Sequence, residues 1–101
     1  MTAIREVVFD TNIIDITSIK KAAYRFIDKF SAEFLLDGST LKTVLRFADS
    51  LSQSAIDAAV DDFRKEALDQ DLRASIKAET EAVRNLILAH AFSKTTLIPN
   101  G

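Results

Sequence analysis

The chain contains no cysteine and no tryptophan, one proline, one histidine and two glycines. Without cysteine it forms no disulfide, thiolate metal site, iron–sulfur cluster or cysteine nucleophile. The only glycines are Gly38 and Gly101, so a glycine-rich phosphate loop is excluded. Linker-like and low-complexity stretches are lacking too. The longest apolar run, Leu86-Ile87-Leu88-Ala89, meets His90 after one turn, far short of the roughly 20 residues of a membrane span. Neither sign of charge dominates: 13 Lys and Arg against 15 Asp and Glu leave a net charge of −2. A general nucleic-acid binder needs a basic surplus to neutralise phosphates. The first residues, Met1-Thr2-Ala3-Ile4-Arg5-Glu6, lack the pattern of a secretory signal. The expectation is a cytoplasmic protein with no nucleic-acid or membrane partner and no cofactor or metal of its own.

What is present suits one small core. The chain has 101 residues, 48% hydrophobic and 28% charged, the balance of an ordinary globular domain. Folding at this length buries roughly 65% of the extended surface, enough for one core and no second. A single domain over residues 1–101 is expected.

Residues 4–10 cluster β-branched and aromatic side chains over strand length. Thr17 or Ser18 is a suitable N-cap for a helix over about 18–30. There Ile19, Ala22, Ala23, Phe26, Ile27 and Phe30 paint one face. Alternation over 32–36 and again over 41–47 reads as two strands. Between them Asp37-Gly38-Ser39-Thr40 forms a tight turn, glycine supplying the positive φ. Ser52 or Ser54 caps a second helix with apolar positions Ile56, Ala59, Val60, Phe63, Ala67 and Leu68. That helix either continues through Asp69-Gln70-Asp71 or kinks there. A final helix over about 79–93 carries more apolar surface than one buried face needs, and residues 95–101 read as a flexible tail. The order β-α-β-β-α-α implies an α+β fold. The expected form is a small two-layer sandwich, a three-stranded mixed sheet with helices on one face. The third strand stands between or beside the first two, and the sheet edges are open to an added strand.

Chemistry is sparse. The lone His90 has Leu86, Ile87, Ser93 and Lys94 as helical neighbours, with no carboxylate to orient it. A packed or interface histidine is the simpler reading. The acidic residues Asp57, Asp61, Asp62, Glu66, Asp69 and Asp71 read as a solvated face before a docking surface. Asp57 and Asp61 stand one turn apart and call for compensation nearby. The cations Lys20, Lys21, Arg25 and Lys29 read as solubilising, and Glu81 with Arg84 suits an i,i+3 ion pair. No enzyme is expected.

The segments Leu68-Asp69-Gln70-Asp71-Leu72-Arg73 and Glu79-Thr80-Glu81-Ala82-Val83-Arg84-Asn85-Leu86-Ile87 are similar to the His-Xaa-Ser system protein HxsD family. Phe9-Asp10, the stretch from Ile19 to Phe26 and the length extend the resemblance over nearly the whole chain. The family pattern Leu-Leu-Asn-Asp-Tyr-x-Leu-Arg-Glu is met by Asp69, Leu72 and Arg73. Gln70 stands where that pattern has Tyr, and Ala74 where it has Glu. No role attached to those two side chains carries over. The resemblance implies a small non-enzymatic member of a peptide-maturation cassette. Its partners there are two radical S-adenosylmethionine enzymes and a target with His-Xaa-Ser repeats. Two readings follow. In the first, the chain binds the precursor peptide, the radical enzymes or both, with Asp69, Leu72, Arg73, Glu79, Glu81, Arg84, Asn85, Leu86, His90 and Phe92 as candidate partner-binding residues. In the second, the apolar helix is covered by its own copy, in a homodimeric structural or regulatory module without a peptide ligand.

Overall fold

The computed structural model describes residues 3–100, with side chains described from Ala3 to His90. Three strands, β1 (Ala3–Asp10), β2 (Phe30–Asp37) and β3 (Thr40–Phe47), and two helices, α1 (Ile16–Arg25) and α2 (Gln53–Asn100), follow in the order β1-α1-β2-β3-α2. The β2–β3 hairpin closes on the two residues Gly38 and Ser39, with Asp37 opposite Thr40. Gly38 takes φ +60° and is the only positive-φ residue among those described. A side chain there is strained although the space around it is open.

The sheet runs β1-β3-β2 and both pairings are antiparallel. This corrects the mixed sheet. β1 and β2 do run the same way, but β3 lies between them, so no parallel ladder forms. β3, at the centre, has more buried residues than either neighbouring strand. Leu41, Thr43, Leu45 and Phe47 are buried beneath the helices, and Val44 is buried on the open side. There Val44 sits between Glu6 and Glu33. Those glutamates pair with Lys42 (4.0 Å) and Arg46 (3.2 Å), so the open face is dressed with charge.

α1 begins earlier and ends earlier than its periodicity implies. Its N-cap is Asp15, whose carboxylate accepts the Thr17 N–H at 3.1 Å. After Arg25 the chain leaves the helix through turns closed by Phe26, Ile27, Lys29 and Phe30 N–H groups. The physical reason is Phe30: it opens β2 opposite Phe47, ring centroids 5.3 Å apart, which no residue still inside α1 could do. Phe26 packs against the core from this turn, stacked on Phe30, whereas Ile27 is left 68% exposed.

α2 is one helix where two were expected. Its cap is Ser52, whose hydroxyl accepts the Ala55 N–H at 3.2 Å. No glycine interrupts it, and its one proline, Pro99, comes only in the last turn. The helix therefore continues through the segment expected as a tail, ending at Asn100. Its first turns cover the sheet with Ile56, Ala59, Phe63 and Ala67, all buried. Phe63 lies edge-on to Phe9 (5.8 Å) and Phe30 (5.7 Å).

Among the described residues, one buried side-chain group is unmatched. Thr43 is fully enclosed and its hydroxyl has no hydrogen-bond partner. A buried orphan hydroxyl costs about 1–3 kcal/mol, so Thr43→Val is expected to stabilise the fold by about 1 kcal/mol, raising Tm by about 4–8 °C. A lowered Tm on thermal denaturation would show that the hydroxyl is bonded after all.

Candidate functional site

Two uncovered surfaces of this fold are candidates for a partner: an arm and the sheet edge at β2. The arm is the part of α2 beyond Asp71. Every side chain from 72 to 90 is exposed, and the molecule extends 75 Å against 26 and 15 Å in the other directions. The hinge between body and arm is Asp71. Its Oδ1 accepts the Asp15 N–H at 3.0 Å and the hydroxyl of buried Ser18 at 3.4 Å. The N-terminus of α1, where backbone N–H groups are unpaired and the helix dipole is positive, is thereby clasped to α2.

At ~100° per residue, Leu68, Leu72, Ile76, Val83, Leu86 and Ile87 fall within about one 100° arc of the arm. All six are more than half exposed. This stripe is turned away from the body: Ala67 is fully buried, while its neighbour Leu68 is 62% exposed. The sequence grouped Leu68 with the core positions, and that grouping is corrected here. Among the sequence-predicted residues, Leu72, Glu79, Leu86 and His90 share the stripe. Asp69, Arg73 and Arg84 flank it, whereas Glu81 and Asn85 lie on the opposite side. The ten do not converge as a rim around one anchor, and the side chain of Phe92 lies outside the described residues. Asp69 holds Arg73 at 2.7 Å, and Glu81 meets Lys77 at 3.9 Å in place of Arg84.

The second surface is an open sheet edge, which the sequence led one to expect, but the strand and groove residues that form it were not named from the sequence. β2 is an edge strand, so alternate backbone N–H and C=O groups along it point outward unpaired. A groove of about 200 Å³ runs beside it, lined by Lys20, Ala23, Tyr24, Ile27, Ala32 and Phe34. Tyr24 and Ile27 are 72% and 68% exposed, and Leu36 at the strand's end is exposed as well. The available signal was Ile27 itself, an apolar residue at the end of a helical stripe. It becomes groove wall only because α1 stops at Arg25.

The charged groups elsewhere are mostly engaged within the chain. Arg5 meets Asp57 at 3.4 Å and Lys65 meets Asp61 at 2.9 Å, the compensation the close pair of aspartates required. The hydrogen bond and charge of Asp61 hold the Lys65 ammonium above its ordinary pKa. Glu66 joins Arg25 (3.6 Å) and Gln70 (2.8 Å), tying α1 to α2. Lys29 lies over the Phe26 ring at 5.5 Å. A larger cleft of about 450 Å³ lies between Leu51, Ala55 and Ala59, with Asp28, Lys29 and Asp62 as its charged groups. Among the described residues, no three His, Asp or Glu side chains are placed to hold a metal ion. Among them, no helix is long and apolar enough to cross a membrane.

The fold and its two bare surfaces define a class: a small α+β domain with an open sheet edge, carrying a helical arm that its own body does not cover. The particular family follows from comparison. The family model described as His-Xaa-Ser system protein HxsD matches residues 9–98, from the end of β1 along the arm, and the chain belongs to that family. No curated protein and no solved structure matches the chain.

Proposed function

We propose that this chain is a non-enzymatic, cytoplasmic accessory protein of a His-Xaa-Ser peptide-maturation system. It binds an extended stretch of the precursor peptide and brings it to the radical S-adenosylmethionine enzymes. The observation that carries this reading is the free edge of β2 beside its apolar groove. An added strand gains main-chain hydrogen bonds along such an edge, while alternate side chains enter the groove for specificity. Family membership supports the setting, because its printed description assigns members to a His-Xaa-Ser system. The cation Lys20, exposed on α1 and lining the groove, favours a peptide with an acidic residue there.

The test is fluorescence anisotropy with a labelled precursor peptide containing the His-Xaa-Ser repeats. Binding is expected, with Kd raised at least ~10-fold by Ile27→Asp, which places a carboxylate in the apolar groove. Because Ile27 is largely exposed, Tm should hardly move. Equal affinity of the Ile27→Asp variant would remove the edge as the binding site, and absence of binding by the native chain would remove the peptide.

A further inference from the structure

We propose that the arm of α2 is a self-association surface, pairing antiparallel with the arm of a second copy of this chain. The first reason is physical need. A helix segment with little tertiary burial is marginal in water, and every side chain from 72 to 90 is left exposed. A second copy supplies the missing apolar cover.

Geometry permits it. The stripe lies opposite the residues that anchor α2 to the sheet, so a second helix can run along it without meeting α1 or the strands. The area also suits a dimer. Six side chains between 53% and 70% exposed show on the order of 100 Å² each, about 600 Å² together. With the aliphatic stems of Arg73 and Arg84 beside them, this approaches the ~800 Å² per partner of a stable interface.

Charge decides the orientation. Between Leu72 and His90 the stripe contains two polar positions, Glu79 and His90. In a parallel pair each would face its own copy, carboxylate on carboxylate and imidazole on imidazole. In an antiparallel pair centred between Arg84 and Asn85, Glu79 faces the other copy's His90, and Val83 meets the other copy's Leu86. Opposite polar partners replace like ones, and the apolar centre is kept intact.

The measurement is sedimentation velocity of the full chain over the micromolar range, joined to cross-linking. A dimer is expected, and Val83→Glu should weaken it at least ~100-fold by placing a carboxylate in the seam. The body's Tm should not change, because Val83 touches nothing in the body. The chain has no native cysteine, so introduced thiols report cleanly. The Glu79→Cys/His90→Cys double variant is expected to form a covalent dimer on oxidation, and neither single variant is. Within one helix those positions are about 16 Å apart, too far for an internal bridge. A native chain that is monomeric throughout the range overturns the proposal. So does a dimer untouched by Val83→Glu, or a His90→Cys variant that cross-links alone, the mark of a parallel pair. None of these outcomes bears on peptide binding at β2.

Discussion

A Phe63→Ala chain is expected to lose its cooperative thermal transition or to melt at least ~12 °C below the native protein. Phe63 is 0% exposed and joins α2 to both edge strands, through Phe9 of β1 and Phe30 at the start of β2. Truncating a buried phenylalanine costs about 3–5 kcal/mol, part of it the cavity left behind. The body that must bear this loss spans only β1 to Asp71, and small domains hold toward the low end of the usual 5–15 kcal/mol. At about 4–8 °C per kcal/mol the fall is large. Phe63→Leu fills most of the cavity and should recover more than half of it. Asn85→Ala, exposed on the arm and off its apolar stripe, is the control. A Phe63→Ala transition within a few degrees of the native one, followed by far-ultraviolet circular dichroism, would mean that α2 is anchored by other contacts.

The second large effect is expected at Asp71. Replacing it with alanine leaves the Asp15 N–H and the buried Ser18 hydroxyl without their shared acceptor, and removes a negative charge from the start of α1. Hydrogen bonds to charged groups are worth about 1.5–3 kcal/mol, and a carboxylate near a helix N-terminus adds a few tenths more. Partial exposure of the clasp places the expected loss near 1.5 kcal/mol, a Tm drop of about 6–12 °C. Asp71→Asn keeps an acceptor oxygen without the charge and should recover at least half. If alanine and asparagine melt alike, the charge carries the effect, and if neither shifts Tm the clasp is ornamental.

The elements that local chemistry specifies were legible in the sequence. The hairpin followed from Asp37-Gly38-Ser39-Thr40, because a two-residue turn is decided by a few φ angles. The apolar face of α1 followed from the spacing of Ile19, Ala22 and Ala23, all buried. Its ends did not, because the helix stops to let Phe30 reach Phe47, a residue on another strand. The same limit explains Leu68. Its spacing fits the Phe63–Ala67 stripe as well as the Leu72–Ile76 one, and only the rotation of α2 on the sheet assigns it to the second.

The candidate site divided along the same line. Surplus apolar surface around Leu86 was visible in composition and is exposed on the arm. The polar residues named with it spread around the helix, since similarity along a sequence carries no angle. The β2 groove was invisible because its walls, Tyr24 from α1 and Ile27 from the turn after it with Ala32 and Phe34 from β2, meet only when helix and strand pack.

What the sequence by itself determined is the inventory: three strands, an early helix, a largely helical second half, no cysteine chemistry, and membership of the HxsD family. Tertiary structure alone decided that β3 lies between β1 and β2, that the sheet is wholly antiparallel, and that α2 leaves the body at Asp71 with its apolar stripe facing outward. The physical reason is range. Turns, caps and periodicity act over a few residues, whereas strand order and helix rotation are set by which buried side chains fill one shared core.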